Sequence, residues 1–381
     1  MSLTALQVQM QAVHGEGSDG GRVGEYRGAT AALSFAGPQS ELKALRAGCG
    51  VYDLGFRALI SLTGGDRVRW LNGMVTNNIR DLAVGRGVYS FLLNPQGRIL
   101  GDLYAYNRGE SIIVETDRSQ VEKMLATFDH YIIMDDVEVA DVNEQMTSLG
   151  ISGPNTAAVL RTAGIQIPEM QPLQAFDAQC TCDCDCTQCT VVKDEQENYQ
   201  LWVAPGDVKK TWDALLASGA TAVGFEALEM QRILSGIPLF GVDIRERDLP
   251  QETAQDDRAL NFSKGCYVGQ EIVERIRSRG AVHRKFAGFL ADVGGHIESG
   301  GKIISGDKEV GEITSVARLD FEGADKTVAL GYIRREVGLP GREVAIGASK
   351  ASVMQLPFAG VLGDEPKSPE RPTLEHEPVE R

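Results

Sequence analysis

The 381-residue sequence has no run of eighteen apolar residues, and no apolar core near its start long enough for a secretory leader. Neither a membrane-spanning helix nor export is therefore expected, and the reading is cytoplasmic. Positive charge is scarce: 38 Lys and Arg stand against 53 Asp and Glu, a net charge of -15. That excludes a general nucleic-acid or anionic-membrane surface, so any anionic ligand must meet a local basic patch. The cysteines number seven, an odd count, with five crowded between Cys180 and Cys189. They do not form the framework of a disulfide-stapled secreted fold. What remains is an ordinary globular composition, 43% hydrophobic and 24% charged, in a length that accommodates two or three domains.

Patterning describes an α+β chain. Residues 1–30 run through Gly15, Gly17, Gly20, Gly21, Gly24 and Gly28, leave little side chain to bury, and predict a flexible arm. Gly87 to Tyr106 alternates as two strands joined at Asn94-Pro95-Gln96-Gly97. Residues 111–142 read as strand, helix, strand. Similar units recur beyond the midpoint, including a strand over Tyr199 to Val203 and a helix from Phe225 to Leu234. From Phe286 to Phe358 short strands separated by glycine pairs predict a small antiparallel barrel. Prolines among charges after Gly363 predict a disordered tail.

The densest chemistry lies in Lys264-Gly-Cys-Tyr-Val-Gly-Gln-Glu271. Val268, Ile272 and Ile276 recur four apart, which makes a helix follow and puts Cys266 near its entrance. The helix dipole, Lys264 and nearby arginines make a setting in which a thiol gains reactivity or metal affinity; the plain alternative is a small packing residue. Arg275, Arg277, Arg279, His283, Arg284 and Lys285 follow, either a solvated face or a seat for a polyanion. RNA is disfavoured because no aromatics are interleaved for stacking. If extended, Cys180, Cys182, Cys184 and Cys186 share one face as a sulfur ladder, and only Cys186 and Cys189 have zinc-pair spacing, so a soft-metal site stands beside an exposed loop.

The octapeptide resembles the signature of the YgfZ folate-binding family, bacterial relatives of a mitochondrial iron-sulfur assembly factor and more distant relatives of the glycine-cleavage T-protein, an aminomethyltransferase. Asp53-Leu54, Thr76-Asn77-Asn78, Leu93 to Arg98 followed by Asp102, and Arg232 to Pro238 extend the likeness, which runs from about Cys49 to Phe358. The resemblance implies two ferredoxin-like antiparallel-sheet units of the T-protein type around a central channel, plus the C-terminal barrel. Its division is 1–30 arm, 31–262 folate-binding region of two subdomains, 263–285 signature loop and basic helix, 286–361 barrel and 362–381 tail.

It also implies a tetrahydrofolate-binding factor for assembly or repair of iron-sulfur proteins, partnered by folate and by assembly or client proteins, with Cys266, Lys264 and Asp102 as catalytic groups. Asp102, Arg232, Tyr267, Gln270, Glu271, Arg275 and Arg279 would bind the cofactor. One alternative is a folate-dependent aminomethyl or other one-carbon transferase. There the T-protein has two adjacent acids where this chain has Gly101-Asp102, and a pterin-recognising Glu where it has Leu234. The incomplete acid pair leaves turnover open, and Asp102 alone could be a strand-end acid facing solvent. The other alternative is a metal- or cluster-delivery protein using Cys180, Cys182, Cys184, Cys186 and Cys189.

Overall fold

The alternating stretch from Gly87 folds as the hairpin Gly87–Leu93 and Ile99–Asn107, turned where Gly97 takes φ +70°. In the computed structural model, residues 2–14, 21–179, 189–196, 198–280, 282–292, 294–321 and 324–358 are described. The hairpin continues through Ile112–Asp117, Arg57–Thr63 and Glu138–Asp141 into a five-stranded antiparallel sheet. Strand parity divides its two faces. Ile60, Leu62, Leu103, Ala105, Ile112 and Val114 meet Trp70 and Leu71 of helix Arg67–Met74 and Met124 and Phe128 of helix Arg118–Tyr131. Trp70 and Phe128 make an edge-to-face pair 5.2 Å apart.

The second sheet runs Ala175–Ala178, Cys189–Lys193, Tyr199–Val203, Thr147–Ser152, Gly50–Asp53 and Thr221–Ala222, antiparallel except for its last pair. One face is covered by Val159 and Leu160 of helix Thr156–Thr162 and by Trp212 and Leu215 of helix Val208–Ala217. The opposite faces of the two sheets meet where Leu59, Tyr106 and Ile113 join Ala175, Val192 and Trp202. Tyr106 stands edge-on to Trp202 at 5.3 Å.

Arg284–Ala291, Ala324–Arg334, Lys308–Phe321, Lys302–Ser305, Glu343–Ile346 and Ser349–Met354 close into a six-stranded barrel. Its interior holds Phe289, Ile303, Ile313, Ile333 and Val353. Its outer face, through Phe286, Leu319, Leu330 and Tyr332, shares an apolar cluster with Phe225, Ile233 and Leu234 of helix Phe225–Leu234. The α+β sheets and terminal barrel therefore match the expected fold class.

The flexible arm expected over residues 1–30 is corrected. Residues Ala5–His14 form a helix, and Arg22–Tyr26 and Ala29–Ser34 pair in a three-stranded sheet with Ser2–Leu3. Leu6 is fully buried, Tyr26 stacks 4.0 Å from Phe225, and the buried Thr4 hydroxyl donates to Asp53. Glycine density is a weak guide where a few anchors such as these can pay the ordering entropy of the segment. Asp53 also accepts the Gly55 N–H at 2.8 Å.

No helix among the described residues is long and apolar enough to cross a membrane. Cys180, Cys182, Cys184 and Cys186 lie outside the described residues, whereas Cys189 opens a strand and is buried beside Ala178, Val191 and Leu201.

Burial raises the Asp53 carboxyl from 3.8 to about 6, against the Thr4 and Gly55 hydrogen bonds. The folded state then holds a proton between about pH 4 and 6 that the unfolded chain has released. This contribution to stability is present below pH 4 and lost as pH rises through 6. Relative to the parent, Asp53→Asn is expected to gain stability between pH 4.5 and 7 in urea unfolding; an unchanged difference across that range contradicts the assignment.

Candidate functional site

Cross-strand register assembles the polar centre of the first sheet on its inner face. Tyr89 pairs with Tyr104, and Tyr104 with Glu115, in one row; Phe91 pairs with Asp102, and Arg57 with Asp117, in the next. Residues two apart point the same way, so these side chains converge. Both oxygens of Asp102 are held: Tyr89 Oη donates to Oδ2 at 2.8 Å and Gln120 Nε2 donates to Oδ1 at 2.8 Å. The Asp102 amide returns a bond to Gln120 Oε1 at 3.0 Å, which fixes Gln120 as well. The carboxylate remains partly exposed, so it is oriented without being sealed. This is more than a strand-end acid facing solvent.

A cationic layer covers the tyrosines. The Arg258 guanidinium lies 4.1 Å from the Tyr89 ring centroid, donates to Tyr104 Oη at 2.7 Å and pairs with Glu195 at the turn between Cys189–Lys193 and Tyr199–Val203. Burial opposes the Arg258 charge, but Tyr104 and Glu195 outweigh it and hold the guanidinium protonated. Burial, reinforced by Asp102, keeps Tyr89 protonated well above its ordinary range, so it stays a donor to Asp102. Arg57 donates to Glu115 Oε1 at 2.8 Å and to Asp117 at 2.5 Å, and Arg27 also pairs with Asp117. Two buried atoms of this centre, Glu115 Oε2 and Arg258 Nε, have no hydrogen-bond partner among the described residues. Tyr89, Tyr104, Glu115, Gln120, Glu195 and Arg258 were missed by sequence reading. Alternation marked the strands, but only the register tells which tyrosine reaches which acid.

The octapeptide lies against this centre from outside. Gly269 takes φ +83°, and a Cβ there would stand 2.6 Å from the Asn94 carbonyl oxygen; a Cβ on Gly97 would meet Ile272 at 2.8 Å. Two glycines thus let the signature loop and the hairpin turn touch. Lys264 is buried, and its ammonium points into the protein to three main-chain carbonyls, those of Asn72, Val75 and Asn77. Burial and the charge of Arg80 lower Lys264 to about 7, while the three carbonyl oxygens favour the charged form. Its expected action on Cys266 is corrected by these bonds. Cys266 itself is exposed, with no hydrogen bond among the described residues.

Several other expected ligand contacts are taken up within the protein. The helix Gln270–Arg279 buries Val273 fully and leaves Ile272 and Ile276 half-buried, one position off the expected face. Tyr267 is buried among Phe91, Ile244 and Leu260, and Gln270 opens the helix. Glu271 and Arg275 are exposed and paired with each other at 2.7 Å, and Arg279 is the last residue of the helix. Arg277 pairs with Glu274, and Arg284 with Asp248 and Glu252. Three arginines of the basic run, Arg275, Arg277 and Arg284, are therefore paired with acids of the protein.

Arg232 has five N–H donors. They make five bonds, to Glu229 Oε2 twice, Ile237 O, Asp243 Oδ2 and Ser315 Oγ, so its expected ligand contact is corrected to a tie between the sheets and the barrel. Leu234 is buried in the apolar cluster beside the barrel, where an unpaired carboxylate would cost several kcal/mol by order of magnitude. Among the described residues no group of three or more His, Cys, Asp or Glu could hold a metal.

Comparison with known proteins adds four findings. The model of the GCVT N-terminal domain matches residues 3–263. The chain is 25% identical over 351 residues to an aminomethyltransferase of Rubrobacter xylanophilus, covering 89% of this chain and 91% of that protein. It is 26% identical over 356 residues to an aminomethyltransferase of Herpetosiphon aurantiacus, covering 89% and 94%. Among solved structures, that of the glycine cleavage system aminomethyltransferase T from Bartonella henselae superposes with a TM-score of 0.81 at 22% identity, covering 94% of this chain and 98% of that one. At that identity the superposition establishes a shared fold.

Gly269→Ala is expected to destabilise the protein by about 2–4 kcal/mol, from a left-handed alanine plus the contact with Asn94 O. Gly241→Ala, at φ +85° with nothing within 4 Å of its added Cβ, should cost only about 1–2 kcal/mol. Urea unfolding of both variants measures the difference, and equal losses contradict the close approach.

Proposed function

The chain belongs to the family of the GCVT N-terminal domain, whose model spans residues 3–263, and from that premise we propose a tetrahydrofolate-dependent aminomethyl or one-carbon transferase acting beside Asp102. The observation that carries this reading is the carboxylate of Asp102, fixed on both oxygens by Tyr89 and Gln120 yet still partly exposed. A carboxylate so oriented can hold the N–H of an accepting nitrogen in line and take its proton as that nitrogen bonds the carbon unit and the carbon's bond to its donor breaks, the donor atom leaving with the electron pair. The aminomethyltransferase names of relatives covering nine-tenths of the chain support the same reading.

The residues present suit the ring system of a reduced folate. Tyr89 and Tyr104 lie beside a fixed acid beneath the Arg258 guanidinium, and the buried Glu115 Oε2 has an acceptor site that no donor among the described residues fills. Folate, as the bound molecule, supplies the nitrogen that accepts the carbon unit. Asp102 orients that nitrogen, Tyr89 and Gln120 keep Asp102 from turning, and Arg258 with Glu195 holds Tyr89 and Tyr104 in place. Gly101 supplies no second acid, so the proposed mechanism uses the single carboxylate of Asp102.

The expected iron-sulfur assembly role is corrected. The relatives that cover most of the chain carry aminomethyltransferase names, and the fold superposes on an aminomethyltransferase. Placement in the YgfZ branch of this superfamily rests on the octapeptide 264–271.

Asp102→Asn is expected to lower turnover of an aminomethyl donor with tetrahydrofolate by about 10²–10⁴-fold, with tetrahydrofolate affinity changed only a few-fold. Undiminished turnover in this variant contradicts the reading. Because carbon transfer to a folate nitrogen requires no thiol from the protein, Cys266→Ala should retain turnover within about twofold of the parent. A loss as large as that of Asp102→Asn would restore the thiol to the mechanism.

A further inference from the structure

The end of helix Arg67–Met74 is closed by a side chain 192 residues away in sequence. A helix C-terminus presents carbonyls without intrahelical partners at the negative end of its dipole, and a lysine can satisfy them. Here the Lys264 ammonium donates to Asn72 O, Val75 O and Asn77 O at 2.6, 2.6 and 2.7 Å, and Nζ lies 5.0 Å from the Tyr267 ring centroid. Val268 N–H closes the Gly73 carbonyl of the same turn. All three ammonium donors are used, so Lys264 has none left for a ligand.

What this turn carries connects it to Asp102. The Thr76 hydroxyl donates to Ala259 O at 2.6 Å and accepts the Phe91 N–H at 2.9 Å. The Asn77 side-chain amide donates to Tyr89 O at 2.9 Å and to Arg258 O at 2.8 Å. One side chain thus fixes the backbone of Tyr89, whose hydroxyl donates to Asp102, and of Arg258, which lies over the Tyr89 ring, and Lys264 holds the peptide bearing that side chain.

We propose that Lys264 is a positioning residue for the transfer reaction: its ammonium sets the 72–77 turn and, through Asn77, places Tyr89 and Arg258 about Asp102. The inference rests on the transferase reading above. Lys264 does not touch the reacting atoms. It acts as a tethered cation in a cage of three carbonyls and one aromatic face, a cage that a free primary alkylammonium also fits.

Lys264→Ala in the full chain opens that cage. Turnover is expected to fall at least about tenfold, since displacing a catalytic group by an ångström can cost about 10²-fold. Ethylammonium should restore part of it saturably, and tetramethylammonium, which has no N–H, should not. Amide hydrogen exchange at Asn77, Ile79 and Asn261, whose N–H groups donate to Ser90 Oγ, Asn72 Oδ1 and Thr76 O, should rise in the variant and fall again with ethylammonium, a readout that needs no turnover. Parent-like turnover and exchange in Lys264→Ala overturn the inference, as does a loss that ethylammonium leaves unchanged in both readouts. An inactive parent overturns the transferase reading instead and leaves the exchange measurement to decide this one. If Lys264→Ala does not fold, Lys264→Met keeps the stem without donors: lost turnover with a retained fold supports the inference, and full turnover overturns it.

Discussion

The bonding of one buried ammonium to three carbonyls at a helix end underlies how this protein joins distant segments of its chain. Lys264 brings residues 264–268 onto the end of helix Arg67–Met74. From there, Thr76 and Asn77 reach strand Gly87–Leu93 and the Arg258-Ala259 peptide. On the other side of the same loop, Gly269 meets the Asn94 to Gly97 turn at a separation no side chain tolerates. An ammonium buried with all its protons bonded is tolerable, whereas one left with an unused proton is expensive. The arrangement therefore works as a whole: loop, helix end and hairpin turn are mutually conditional.

Inside that frame the reaction we propose falls to a carboxylate. Strand register sets Asp102 one row from Tyr89, Tyr104 and Glu115, and Gln120 reaches it from the covering helix. The cysteine that stands out in the sequence is exposed, although its neighbours Lys264 and Tyr267 are buried. A second polar knot, Arg232 with Glu229, Asp243 and Ser315, ties the barrel to the rest. The 280 Å³ cavity beside it, lined by Tyr26, Phe225, Met230 and Val316, shares no lining residue with the Asp102 centre.

Much of the fold was legible because it is written in periodicity. The 87–106 hairpin, the strand-helix-strand over 111–142, the Phe225–Leu234 helix and the barrel strands all follow from alternation and glycine punctuation. The amino-terminal arm was misread because its anchors, Thr4 on Asp53 and Tyr26 on Phe225, join residues far apart in sequence. Asp102 and the octapeptide could be singled out from residue type and spacing, but their roles could not be apportioned. Thiol, lysine and arginines looked like one site in sequence. In space the lysine turns inward, the thiol outward, and the arginines to neighbouring acids. Arg258 and Glu195 gave no local signal, since their meaning lies in a contact across 63 residues.

The central claim is that a reduced folate binds with its carbon-accepting nitrogen at Asp102. A crystal structure of the protein with tetrahydrofolate tests it most directly. The account predicts that nitrogen within hydrogen-bond distance of the Asp102 carboxylate, on the inner face of the five-stranded sheet. Folate seated instead beside Cys266, or in the cavity under helix Phe225–Leu234, would contradict it.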